Sequence, residues 1–96
     1  MNSVSSEMVA HKSRVFVVDA HPLVREGLAN LINAQDDVIV CGEAEDSARA
    51  ISGMVKTRPD VALIDISLQN ESGLELVKDL AAQFPKVALI VLSMHD

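Results

Sequence analysis

Four short apolar runs that do not alternate constrain this chain more than anything else in its sequence. They cover residues 14–19, 38–42, 61–65 and 87–93, are rich in Val, Leu and Ile, and three of them end on Asp19, Asp65 and Ser93. Unbroken, β-branched runs of this length suit strands covered on both faces, as in a parallel sheet. Amphipathic stretches separate them. The first opens at Pro22, a residue suited to a helix's first turn, and carries Val24, Leu28, Leu31 and Ile32 on one side. The second, around 47–57, aligns Ala48, Ile51 and Val55, and Pro59 ends it by disfavouring helical geometry at Arg58. The third begins at Ser72, which with Glu75 has capping-box spacing; Leu74, Val77, Leu80, Ala81 and Phe84 form its stripe, and Pro85 stops it. The order β-α-β-α-β-α-β predicts an α/β fold with right-handed crossovers. Residues 1–12 are polar and without period, so they read as a flexible leader before one domain over 13–96.

Charge and composition exclude several functions. Lys+Arg 8 against Asp+Glu 14 leaves a formal charge of −6, which argues against binding nucleic acid through a basic patch. Hydrophobic residues make up 49% but aromatics only 2%, so the core is aliphatic, with no platform for stacked bases and no aromatic flavin sandwich. Cys41 is the single cysteine, which excludes an intramolecular disulfide and a multi-cysteine metal site; inside an apolar run it reads as a small core residue. No run approaches the roughly 18 apolar residues of a membrane span, and no apolar signal core opens the chain. The expected location is the cytoplasm.

Ligands of open α/β sheets bind beyond the carboxyl ends of the strands. Asp19, Asp65 and Ser93 stand at three such ends and would gather in one crevice. Taken singly, Asp19 or Asp65 serves as well to cap the helix that follows it. Taken together with Ser93, they point to a site, because a carboxylate at the end of a buried strand needs a partner, water or a cation.

Three stretches resemble one family: Asp19 through Leu28 with His21, Pro22, Arg25 and Gly27; Leu63 through Leu68 followed by Ser72 and Gly73; and Leu92 through Asp96. They are similar to the receiver domain of bacterial two-component response regulators, in particular those with a C-terminal helix-turn-helix DNA-binding domain. The resemblance covers 14–96. It implies a flavodoxin-like, doubly wound parallel sheet in the order 2-1-3-4, cut short before a fifth strand and its helices. It further implies that Asp65 accepts a phosphoryl group from a sensor histidine kinase, with Mg²⁺ held by Asp19, Asp65 and the Ser67 carbonyl. Ser93 would hydrogen-bond the phosphoryl group. The module is a stoichiometric phosphoacceptor that promotes its own phosphorylation, not a multi-turnover enzyme. DNA would be reached only through a C-terminal domain that the chain lacks, and no membrane is involved.

Two departures from the family pattern support a competing reading, an atypical receiver that binds proteins without phosphorylation. Ala20 stands where the family usually has a second acid, and Gln69 where it commonly has Pro. A haloacid-dehalogenase-type phosphatase would want an acid at Ser67, and a flavodoxin-like FMN protein a hydroxyl- and Gly-rich loop after the first strand. His21 and His95 flank the crevice but read equally as exposed loop residues, His21 more so. Glu43, Glu45 and Asp46 read as a solvated helix start, Met94 as packing, and Gly73 as a tight junction. The last apolar run contains neither Pro nor Lys to blunt an edge, so pairing with a second copy, as a homo-oligomer or a domain-swapped pair, is expected.

Overall fold

The computed structural model describes residues 12–65 and 73–92. Along the chain these form β1 (Ser13–Val18), α1 (Pro22–Asn33), β2 (Val38–Ala44), α2 (Ser47–Thr57), β3 (Val61–Asp65), α3 (Gly73–Gln83) and β4 (Ala88–Leu92). All strand pairs are parallel and the order is β2-β1-β3-β4, as the resemblance implied. The chain therefore moves outward from β1 to β2, then crosses back over β1 to β3. With right-handed crossovers, that reversal puts α1 on one face and α2 and α3 on the other.

Side chains of β1 and β3 alternate between these faces. Phe16, Val18, Ala62 and Ile64 meet Ala50 and Met54 of α2 and Leu76 and Leu80 of α3 in one buried cluster. Val15, Val17 and Ala29 are also buried. α1 packs across β1 and β2, and α3 across β3 and β4. The pairing of β1 with β2 slips between Val15 and Phe16, whose partners are Val40 and Gly42, leaving Cys41 as an extra residue. Cys41 is a half-buried free thiol packed against the main cluster.

Two of the three helices, α2 and α3, sit rotated from their expected stripes. In α2 the buried residues are Ala50 and Met54; Ile51 is half-buried, while Ala48 and Val55 are exposed. The cause is steric. Ala50, Gly53, Met54 and Thr57 share one face, and Gly53 lies so near Phe16 that only a residue without a side chain fits. In α3, Gly73, Leu76 and Leu80 are buried with Val77 and Phe84 packed beside them, whereas Leu74 and Ala81 face outward. In α1, Val24, Leu28 and Ile32 are half-buried as expected, and Leu31 is exposed.

Helix ends follow their local chemistry. The Asp46 side chain accepts a hydrogen bond from Arg49 N–H at 2.9 Å and caps α2. At the other end Arg58 takes a left-handed conformation, φ 49°, and its N–H closes on the Met54 carbonyl before Pro59 turns the chain into β3. Ser72, and with it the expected capping box, lies outside the described residues. β4 begins at Ala88 and not at Val87, whose N–H instead bonds the Phe84 carbonyl in the turn.

Candidate phosphoacceptor and cation site

The reversal of chain direction between β1 and β3 opens a crevice beyond their carboxyl ends, where ligands of doubly wound sheets bind. Asp19 follows the last residue of β1 and Asp65 is the last residue of β3. Asp19 is 1% exposed and Asp65 2%. Burial of two carboxylates side by side is unfavourable unless hydrogen bonds or a cation offset it.

The loop after β1 is held from several directions. Asp19 N–H continues the β1–β2 ladder to the Ala44 carbonyl at 3.0 Å. The Asp19 carbonyl accepts from Arg25 Nη1 at 2.6 Å, and Arg25 Nε reaches Glu43 Oε1 at 3.3 Å. Asp19 Oδ1 accepts the His21 backbone N–H at 2.7 Å, an Asx-type turn that sets the carboxylate's orientation. Asp19 Oδ2 is buried and has no hydrogen-bond partner among the described residues. His21 completes the group: its Nδ1 lies 3.3 Å from Asp19 Oδ1, although half of its side chain is exposed. Asp19, His21 and Asp65 each offer a ligand atom, all within 4.8 Å of one another.

These residues fit a divalent cation. An oriented carboxylate with one buried, unsatisfied oxygen beside a second carboxylate is a donor set that hard cations accept. Asp19 and Asp65 are thus brought together as expected, with Ala20 half-buried between Asp19 and His21. Ser67, Gln69, Ser93, Met94 and His95 lie outside the described residues. His21 is exposed, as read from sequence, but it also stands at the crevice. Arg25 was missed. Its signal was there: a cation one turn into a helix whose first turn lacks an acid can reach back to the preceding loop. Glu43, Glu45 and Asp46 are more than a solvated cluster, since Glu43 pairs with Arg25, Glu45 pairs with Arg49 at 2.8 Å, and Asp46 is a cap. A groove of about 510 Å³ lined by Met54, Pro59, Phe84 and Val87 lies at the opposite, amino-terminal ends of β3 and β4 and has no part in this site.

Sheet order and acid pair together define a flavodoxin-like receiver fold. The family model for the response regulator receiver domain matches residues 15–96, and the chain belongs to that family. It is 41% identical over 85 residues to the uncharacterized transcriptional regulatory protein YxjL of Bacillus subtilis (strain 168), covering 88% of this chain and 39% of that protein. Identity to the DNA-binding transcriptional activator DevR/DosR of Mycobacterium tuberculosis is 38% over 82 residues, 85% of this chain and 38% of the relative. Among solved structures, a LuxR-family two-component response regulator from Aurantimonas sp. SI85-9A1 superposes with a TM-score of 0.81 at 29% identity, covering 88% of this chain and 61% of that one. The chain thus spans about two fifths of the length of the curated relatives it matches. Receiver domains are signalling modules of two-component systems, and no helix among the described residues is long and apolar enough to cross a membrane.

Proposed function

We propose that Asp65 accepts a phosphoryl group from the phosphohistidine of a sensor kinase and that the resulting charge switches a transcriptional output. The observation that carries this reading is the pair of buried carboxylates at neighbouring strand ends, one of them fixed by backbone and holding a buried oxygen in reserve. An Asp65 oxygen forms a bond to phosphorus as the bond from phosphorus to the kinase imidazole breaks, the imidazole nitrogen keeping the electron pair. A carboxylate is a weak nucleophile, so positioning and charge neutralisation supply the rate. When bound, Mg²⁺ would neutralise the carboxylates and the phosphoryl oxygens. Asp19 and Asp65, with the Ser67 carbonyl, would hold it; Arg25 and the His21 N–H keep Asp19 in place, and Ser93 would hydrogen-bond the phosphoryl oxygens.

Phosphorylation brings about −1.5 to −2 of charge to the end of β3, enough to reorganise neighbouring loops. The named relatives are transcriptional regulators, one of them DNA-binding, and we assign a transcriptional output to this chain through a unit other than this acidic domain, with the receiver working in the cytoplasm. The acyl phosphate is made once per activation cycle, so the domain acts as a stoichiometric switch. Incubation of the full chain with radiolabelled acetyl phosphate, with and without Mg²⁺, tests this. Mg²⁺-dependent label on Asp65 is expected. A folded chain that takes no label under either condition would overturn it in favour of a phosphorylation-independent interaction module, the reading that Ala20 and Gln69 motivate.

A further inference from the structure

Ala20 removes an acid from the position next to Asp19, yet the crevice holds three potential ligands and not two. We infer that His21 is the third side-chain ligand of the cation site and shifts its preference from Mg²⁺ towards divalent cations that accept nitrogen, such as Zn²⁺ or Co²⁺. The inference rests on the cation-assisted phosphoacceptor reading and names the ligand set that reading leaves incomplete.

The geometry is specific. With metal–ligand bonds of about 2.1 Å, neighbouring donors of a tetrahedral or octahedral site stand roughly 3.0–3.4 Å apart. His21 Nδ1 and Asp19 Oδ1 already stand 3.3 Å apart. The three donor atoms lie within 4.8 Å of one another. His21 can rotate because half of it is in solvent, while Asp19 and Asp65 are fixed by burial. Asp19 offers two oxygens to the site: Oδ1, which stands beside the imidazole and also accepts the His21 N–H, and Oδ2, which is buried without a hydrogen-bond partner among the described residues. Nor does the His21 imidazole have a structural duty at the start of α1, where it makes no side-chain cap.

Donor chemistry sets the preference. Mg²⁺ favours oxygen ligands and gives up water reluctantly, whereas imidazole suits Zn²⁺ and the later first-row ions. A site of two carboxylates and one imidazole therefore loses affinity for the first and gains it for the second.

Calorimetric titration of the full chain and of His21→Ala with ZnCl₂ and with MgCl₂ tests the assignment. Removing a direct ligand should weaken Zn²⁺ binding by about tenfold or more and Mg²⁺ binding by less than about twofold. Because His11 and His95 are present in both proteins, the difference between them reports His21 alone. In His21→Asp the order should reverse, with Mg²⁺ gaining and Zn²⁺ losing, which keeps the test valid if His21→Ala folds poorly. Co²⁺ added to the unaltered chain should give a visible band that His21→Ala lacks. Zn²⁺ affinity unmoved in both variants, or equal losses for Zn²⁺ and Mg²⁺, would overturn the inference. Failure of Asp65 to take phosphoryl while Zn²⁺ binding still depends on His21 would overturn the phosphoacceptor reading alone.

Discussion

Gly53→Ala is the substitution whose sign depends most directly on the packing beneath the site. Phe16, three residues before Asp19, seats β1 on α2 and is 1% exposed. A Cβ at Gly53 would stand 2.6 Å from Phe16 Cζ and 2.8 Å from Cε2, distances that real contacts do not reach. The ring cannot yield cheaply: it is enclosed, and a Cβ added at Gly42 of β2 would come just as near its Cε2 edge. Two opposing terms set the result. Alanine in a helix interior gains about 0.8–1 kcal/mol over glycine, while forcing extra volume into a filled core costs roughly 1–3 kcal/mol. The net expectation is a loss of about 1 kcal/mol. Gly27 in α1 provides the control, because a Cβ there has nothing within 4 Å. Gly27→Ala should therefore stabilise by about 1 kcal/mol. Urea unfolding of both variants, with midpoints compared at constant slope, isolates the contact as the gap between two identical changes in two helices. A Phe16→Leu background should narrow that gap, since the pair is then no longer in collision. Equal stabilisation by Gly53→Ala and Gly27→Ala would refute the reasoning and show that the ring moves without resistance.

Four further outcomes are expected. Asp65→Asn should abolish acetyl-phosphate labelling of the full chain; label retained in that variant would place the phosphoacceptor elsewhere. Ala20→Asp should tighten Mg²⁺ binding in titration by restoring an acid beside Asp19, and unchanged affinity would mean that another group already fills that position. Asp46→Ala removes the cap of α2 and should cost about 1 kcal/mol in urea unfolding, with no loss expected only if the Arg49 N–H finds water at no cost. β4 is an edge among the described residues, with Ile90 and Val91 exposed, so sedimentation of the 96-residue chain should show association through edge pairing or exchange. A stable monomer at tens of micromolar, with β4 amides protected from hydrogen exchange, is the contrary result.

The element order, the parallel sheet and the meeting of Asp19 with Asp65 were all legible along the chain. A strand buried on both faces must be apolar throughout, and a polar residue ending such a run marks the sheet's carboxyl edge, where parallel strands bring their ends together. The inward face of α2 was not legible. Residues 47–57 offer two adjacent stripes, one through Ile51 and Val55 and one through Ala50 and Met54, and periodicity alone cannot choose between them. The choice fell to Phe16, which is remote in sequence and demands Gly53 against its ring, so volume complementarity outweighed hydrophobicity. The same distinction holds at the site. Sequence placed two acids at strand ends, but only the folded loop, pinned by Arg25 and by the His21 N–H, decides which Asp19 oxygen is left over and brings an imidazole to 3.3 Å from the other. Backbone periodicity is a local property that a sequence carries with it, whereas which atoms remain unsatisfied depends on every group that folding brings near.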